Sequence, residues 1–409
     1  MRVTTLLRRM LGVIGLVVVD FAFAEVGLIV MVRPRWSVPR CGECGFKAPG
    51  YDRARPRRWR HLGIGRLRIW LEYAPRRVEC ARCGVKTEKV PWAEHRSRFT
   101  KDFEELVAYL AQVTDRTKVT EQLGISWESV GEIVERVVAR RIDPRRLDGL
   151  KRIGIDEFGY RRRHHYLTTV VDHDRRRVIW AAPGRSAETL GRFFAELGFE
   201  RTRSIETITI DMAGGYMKAI EELAPEAKVV FDRFHVQRLA SDALDEVRRA
   251  EVWEADAADS RAIKHSRFAL LKRPWNLERK EKEKLAGLQR TNARLYRAYL
   301  LKETLAEALD YKRPGHAARA VADWIAWAVR SKLKPFVKAA RTIRKHFDGI
   351  VAYFDERLTN GLVEGINNKL RMIARRAFGF HSPGPLISML HLCCGGIRLD
   401  PPLPSPTKT

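Results

Sequence analysis

Cysteine is scarce in this chain, with six in 409 residues, and that rules out a fold stapled together by disulfides. Internal repeats are absent, as are low-complexity tracts beyond a proline-rich tail at 401–406, so solenoid and fibrous architectures are excluded too. Acidic residues are under-represented: 50 Asp plus Glu stand against 77 Lys plus Arg, a formal charge of +27. Such an excess fits a polyanionic partner, nucleic acid first, with a merely solvated basic surface as the alternative. Long uninterrupted apolar runs are also missing. Residues 10–32 come closest, and Arg8 with Arg9 ahead of them mimics the start of a signal peptide. Asp20 and Glu25 break that run, each at a cost of about 2–3 kcal/mol near a bilayer centre. No small-residue cleavage site followed by a polar start is found. The stretch is therefore read as two buried strands with no membrane partner, a membrane anchor being the competing reading.

What is present begins with the cysteines. Cys41-Gly-Glu-Cys44-Gly45 and Cys80-Ala-Arg-Cys83-Gly84 each place glycine after the second thiol, freeing the backbone for a tight knuckle. Four thiolates form a closed tetrahedral set of the kind structural zinc prefers, in a reducing compartment. Cys393 and Cys394 lie in an apolar segment and are read as buried core thiols. Farther on, Phe103, Leu106, Val107 and Leu110 follow a helical spacing. Residues 118–127 read as a short helix, a turn at Gly124 and the start of a second helix capped by Ser126. This is a helix-turn-helix or an ordinary αα-hairpin. As the former, its recognition helix spans 127–140, with Trp127, Arg136 and Arg140 as candidate DNA contacts.

From Lys151 the pattern changes to β-branched runs at 152–156, 166–172 and 178–182, whose tight links predict an antiparallel meander. A helix at 186–197, a strand at 206–211, a helix at 214–223 and a strand at 228–231 follow. Three strands, helix, strand, helix, strand is the ribonuclease-H-like order. Residues 236–346 read as charged helices, with Leu270, Leu271, Trp275, Leu295, Tyr299, Trp324, Trp327 and Phe336 as buried positions. In this frame three acids stand out. Asp156 and Asp211 each end an apolar run, and Glu364 opens a helix. That helix carries an apolar stripe of Val363, Ile366, Leu370, Ile373 and Ala377, with Glu364, Asn367, Asn368, Arg371 and Arg375 on the adjoining polar side. Two carboxylates from strands and one from a helix could converge on a pair of divalent cations, the arrangement used to hydrolyse or transfer phosphodiesters. Turn and helix-dipole roles are the plainer alternative. Strand alternation sends Glu157 to the face opposite Asp156. Asp232 and His235 are secondary candidates, His235 to orient a phosphate or a water. His164 and His165, beside arginines at 161–163, are read as hairpin residues touching DNA backbone.

The segments Ile155-Asp-Glu-Phe158, Ile210-Asp-Met212, Val230-Phe-Asp-Arg-Phe-His-Val236 and Leu362-Val-Glu-Gly-Ile-Asn-Asn-Lys-Leu370 can be set together with the two cysteine pairs. The combination resembles the DDE transposases of bacterial insertion sequences, in particular the ISL-three group, over about residues 10–395. The resemblance implies that Asp156, Asp211 and Glu364 are the DDE triad, holding two Mg²⁺. It further implies an α-helical insertion between the second and third acids, and 152 residues intervene there. Lys369, Arg371, Arg375 and Arg376 become candidate phosphate contacts.

The expected fold is α+β and multidomain. N-terminal strands and a zinc ribbon occupy 1–95, and a helix-turn-helix DNA-binding domain 96–148. The first part of a ribonuclease-H-like core takes 149–240, an α-helical insertion 241–345, the last core helices 346–396, and a disordered tail 397–409. The expected activity is binding of an element's terminal inverted repeats, then two-metal cleavage and strand transfer into target DNA. A homodimer or higher oligomer on DNA in the bacterial cytoplasm, at the nucleoid, is expected, with structural Zn²⁺ in the ribbon. A zinc and helix-turn-helix regulator with an inert core is one rival; a membrane-anchored nuclease is the other.

Overall fold

The computed structural model describes residues 2–161, 165–212, 215–356, 358, 361–376, 380 and 382–400. The chain forms two compact units. One comprises Met1–Asp143 with Arg376–Phe378 and Gly384–Thr409; the other comprises Pro144–Arg375 with Gly379–Pro383.

In the first unit a helix, α1 (Val3–Leu11), precedes the apolar stretch. Two strands follow, β1 (Leu16–Ala24) and β2 (Gly27–Pro34). After β3 (Gly50–Arg53) come β4 (Arg57–Ile64), β5 (Leu67–Tyr73), β6 (Arg76–Cys80) and β7 (Gly84–Thr87). They make two sheets, ordered β1-β2-β5-β4 and β3-β6-β7. The strands expected at 10–32 exist, but β1 is buried only at its start: Val19 is 57% and Phe23 74% exposed. As the edge of its sheet, β1 has a neighbour on one side only, which leaves Asp20 in water. No helix among the described residues is long and apolar enough to cross a membrane. Three helices then pack together, α2 (Lys101–Val113), α3 (Arg116–Leu123) and α4 (Trp127–Arg141). Thr100 caps α2, Gly124 adopts the left-handed conformation between α3 and α4, and Ser126 accepts from the Ser129 amide to cap α4.

The second unit opens on the expected meander, β8 (Arg152–Arg161), β9 (His165–Asp172) and β10 (Arg177–Pro183). Next come α5 (Ala187–Leu197), α6 (Phe199–Arg203), β11 (Thr207–Ile210), α7 (Met217–Leu223) and β12 (Lys228–Phe231). The five strands lie in the order β10-β9-β8-β11-β12, with the meander antiparallel and β8, β11 and β12 parallel. Helices α8 (Arg233–Glu254), α9 (Ala257–His265), α10 (Arg267–Leu271), α11 (Arg279–Thr291), α12 (Ala293–Ala308), α13 (Pro314–Arg330), α14 (Lys334–Lys345) and α15 (Phe347–Glu356) follow. Leu295, Tyr299, Trp324 and Phe336 are buried among them as expected. Trp275 and Leu271 are not, at 66% and 42% exposed. Trp275 instead lies flat under the Arg273 guanidinium, 4.4 Å from the ring centre.

Two helices complete the chain, α16 (Gly361–Arg376) in the second unit up to Arg375 and α17 (Pro383–Cys394) in the first from Gly384. The section expected at 346–396 as core helices is therefore divided. Leu392 of α17 joins the cluster formed by α2, α3 and α4, as do Ile397 and Leu399 from the segment expected to be a disordered tail. The Gln112 amide ties this segment down by donating to the Leu392 carbonyl (2.6 Å) and the Ile397 carbonyl (3.3 Å). Residues 401–409 lie outside the described residues. Cys393 and Cys394 are half-buried in α17 rather than fully enclosed.

Candidate active site

Asp156 does not end its strand. Pairing with β9 continues past it, Asp156 facing Thr169, because the hairpin supplies a partner to the end of β8. On the other side β8 pairs with β11 only through Gly154, so Asp156 projects where β8 outruns its parallel neighbour. Asp211 directly follows Ile210, the last residue of β11. The two acids thus sit at the same edge of adjacent strands. Helix α16 reaches this edge because residue 154 is glycine: a Cβ there would lie 2.6 Å from Val363 Cγ2. One turn after Val363, the Asn367 amide donates to Asp156 Oδ2 at 2.6 Å. Asn367 is only 4% exposed, so it belongs to the buried face with Val363, Ile366, Leu370 and Ile373 and not to the polar side. Ala377, expected on the same stripe, lies outside the described residues. Glu364 is exposed in the first turn of α16.

Charge is concentrated here. Burial pushes the Asp156 carboxyl up to about 6, and Asp211 and Glu157 push the same way, while His235 and the Glu157 amide oppose them. Burial also raises Asp232, which caps α8 through the Phe234 amide and feels both Glu364 and Asp211. His235 stands between carboxylates, Nε2 3.4 Å from Asp211 and Nδ1 3.6 Å from Asp232. Glu157 approaches Arg185 at 3.9 Å, yet it too is raised by burial and by Asp211. The structure therefore gathers Asp156, Asp211, Asp232 and His235 into one electrostatic group, with Glu364 in the field of Asp232. The carboxylates of Asp156, Asp211 and Glu364 are not drawn in as tightly as ligands of a single ion. Among the described residues, the four cysteines are the group of three or more His, Cys, Asp or Glu side chains whose ligand atoms all lie within 4.8 Å of one another.

Those cysteines meet as the spacing requires. Cys44 and Cys80 sulfurs are 3.5 Å apart, and Gly45 and Gly84 take the left-handed conformation after each pair. The Arg82 amide, followed by that of Cys83, bonds the Cys80 sulfur and brings its thiol down to about 7. Amides aimed at the Cys80 sulfur favour its thiolate, while the bond to Cys44 pushes the Cys83 thiol up to about 12; the clustering of all four sulfurs is what supports structural zinc.

The recognition-helix arginines are placed differently from expectation. Glu104 of α2 is wholly buried and accepts from Arg136 (2.7 Å), Arg140 (3.2 Å) and Ser97 (2.8 Å). Arg136 and Arg140 thus lock α4 onto α2, while the exposed side of α4 presents Glu128, Glu132 and Glu135. Trp127 is half-buried, and its ring lies 4.9 Å from the Arg116 guanidinium. Arg136→Ala is expected to cost about 2 kcal/mol in thermal unfolding, because it strips a charged hydrogen bond from a buried carboxylate. DNA binding by the variant at a temperature where it is folded should keep its salt dependence; normal stability with weakened binding would reverse the assignment. On α16, Lys369, Arg371 and Arg375 are exposed, Arg371 bonding Asn368 (2.7 Å). Arg376 donates to the Gln112 carbonyl at 3.3 Å. His165 is exposed at the start of β9, and His164 lies outside the described residues.

Comparison with known proteins agrees with these modules. A family profile described as transposase matches residues 153–390. A helix-turn-helix domain of transposase family ISL3 matches 88–138, and a zinc-finger of transposases matches 37–83. The transposase for insertion sequence element IS1557 of Mycobacterium tuberculosis is 40% identical over 99% of this chain and 98% of that protein. The transposase for element IS1001 of Bordetella parapertussis is 30% identical over 86% of this chain and 88% of its own length. With the cysteine cluster, the helix-turn-helix and the acid-bearing sheet all falling inside matched regions, the chain belongs to the ISL3 family of insertion-sequence transposases.

Proposed function

We propose that the chain cuts and joins DNA at the ends of an insertion sequence with Asp156, Asp211 and Glu364 as its DDE triad. The strand order β10-β9-β8-β11-β12 supports a ribonuclease-H-like core, and helices α8–α14 support an α-helical insertion between the second and third acids. The observation that carries the reading is the raised Asp156 carboxyl beside Asp211, a partly buried pair of acids in which each charge disfavours the other. Carboxylates that share two ions about 4 Å apart need not crowd as ligands of one ion do, which fits their separation. Magnesium, when bound by these three residues, supplies activation of the attacking oxygen and stabilisation of the leaving one.

The residues of the chain do the remaining work. Asn367 fixes the Asp156 carboxylate and so sets the register of α16 against β8. His235 stands beside Asp211, with Asp232 at its other ring nitrogen. Exposed Lys369, Arg371 and Arg375 lie on the same helix as Glu364, where they would neutralise phosphates. The zinc ribbon and helix-turn-helix would bind the terminal inverted repeats, and a dimer or higher oligomer would pair two ends in the cytoplasm.

The test uses DNA carrying the flanking element ends with Mg²⁺. Wild type should cleave, and Glu364→Gln should fall by about 10³-fold or more, roughly 4 kcal/mol of barrier, while still binding the same DNA. Equal cleavage by both would overturn the triad.

A further inference from the structure

We propose that the exposed face of α14 is a track for the phosphate backbone of duplex DNA. The inference rests on the reading of DNA as substrate and assigns it a surface far in sequence from the helix-turn-helix.

The sequence of α14, KPFVKAARTIRK, contains no acid. Its apolar side, Phe336, Ala339, Ala340 and Ile343, is buried against α8 and α13. The opposite side exposes Lys334, Lys338, Arg341 and Lys345, with Arg344 beside them and Lys332 just ahead of the helix. Positions 334, 338, 341 and 345 recur at helical spacing and make one stripe about 16 Å long, the axial reach of about five phosphates on a strand. None of the six cations makes an ion pair among the described residues. Elsewhere in the same helices cations are matched: Arg233 and Arg273 with Asp310, Lys272 with Glu281, Arg294 with Glu251 and Glu254. A face of uncompensated like charge repels itself in the free protein and is relieved by a polyanion.

Lys332 adds an independent sign. Its φ of +63° lies in the left-handed region, where the turn between α13 and α14 would favour glycine. A lysine held there keeps its charge on the edge of the stripe at a conformational cost, as strained positions at binding surfaces do. An anionic membrane is the competing partner for a basic amphipathic helix. Such a helix must offer its apolar side to the lipid, and the apolar side of α14 is already buried.

The experiment measures binding of the full chain to a labelled duplex as salt is varied, without divalent cations. For the variant carrying Lys334→Gln, Lys338→Gln, Arg341→Gln and Lys345→Gln, the slope of log affinity against log salt should shrink by about 3 to 4, at roughly 0.9 per lost phosphate contact. Lys332→Gly provides a version that cannot be dismissed as misfolded. It should melt no lower than wild type, yet lose about one unit of slope. Unchanged slopes in both variants overturn the track, as would capture by phosphatidylserine vesicles with DNA binding intact. Failure of the wild type itself to bind duplex would instead overturn the DNA-processing reading.

Discussion

Cys80→Ser is expected to unfold the ribbon around it. The cluster that should hold this module together consists of Ala48 and Val78 with the cysteines themselves, far too little apolar surface to fix three short strands. Structural zinc in small ribbons is worth about 10–16 kcal/mol in apparent binding free energy, as much as a whole domain's stability. Losing one of four thiolates, or stripping the ion with a chelator, should therefore expose β3, β6 and β7 to trypsin at Arg76, Arg77 and Lys86. The neighbouring sheet should survive, since Leu28, Val30, Trp59, Ile69, Leu71 and Trp92 give it a separate core. Hydrogen exchange resolves the two regions. Full protection of 76–87 in the variant or under chelation would show that metal does not organise the ribbon.

Asp156→Asn should pull stability and activity in opposite directions. In the folded chain this carboxyl titrates at about 6 against an ordinary 3.8. A raised acid holds its proton more tightly folded than unfolded, so metal-free protein loses stability as pH climbs from about 4 to about 6 and stays lower above that. The loss is up to about 3 kcal/mol. Asparagine carries no charge to bury and can still accept from Asn367. In chelator at pH 7.5 the variant should therefore melt higher than wild type, the gain vanishing near pH 4. Mg²⁺ should raise the wild-type melting temperature and leave the variant unmoved, while cleavage falls by about 10³-fold. A variant that melts lower in chelator at pH 7.5 would mean that Asp156 stabilises the fold rather than straining it.

Much of this was legible in the residues because it rests on local periodicity. The cysteine knuckles need only glycine at fixed offsets. The helix-turn-helix announces itself through Gly124 and Ser126, and the meander through short polar links between β-branched runs. What stayed hidden depends on partners distant in sequence. Arg136 and Arg140 look like DNA contacts until Glu104, a turn into α2, is seen to hold both. Asn367 reads as polar surface, although its place four residues after Val363 puts it on the packed stripe. Its bond to Asp156 spans 211 residues. Trp275 reads as a buried position of the charged helices, yet it is exposed, with the Arg273 guanidinium over its face. Asp156, Asp211 and Glu364 lie between these cases: each acid is visible in the sequence, but which neighbours share its field is not.

The docking of α17 has a bearing on when this protein becomes able to hold DNA. The helices α2 to α4 are made early, yet a wall of their cluster comes from Leu392 and Leu399, and the Gln112 tie closes across 280 and 285 residues. During synthesis the part of that cluster facing Leu392 and Leu399 stays uncovered until residue 399 has been translated. A truncated product would carry an unfinished DNA-binding section. Completion of that module thus reports that Asp156, Asp211 and Glu364, all upstream of α17, have already been made.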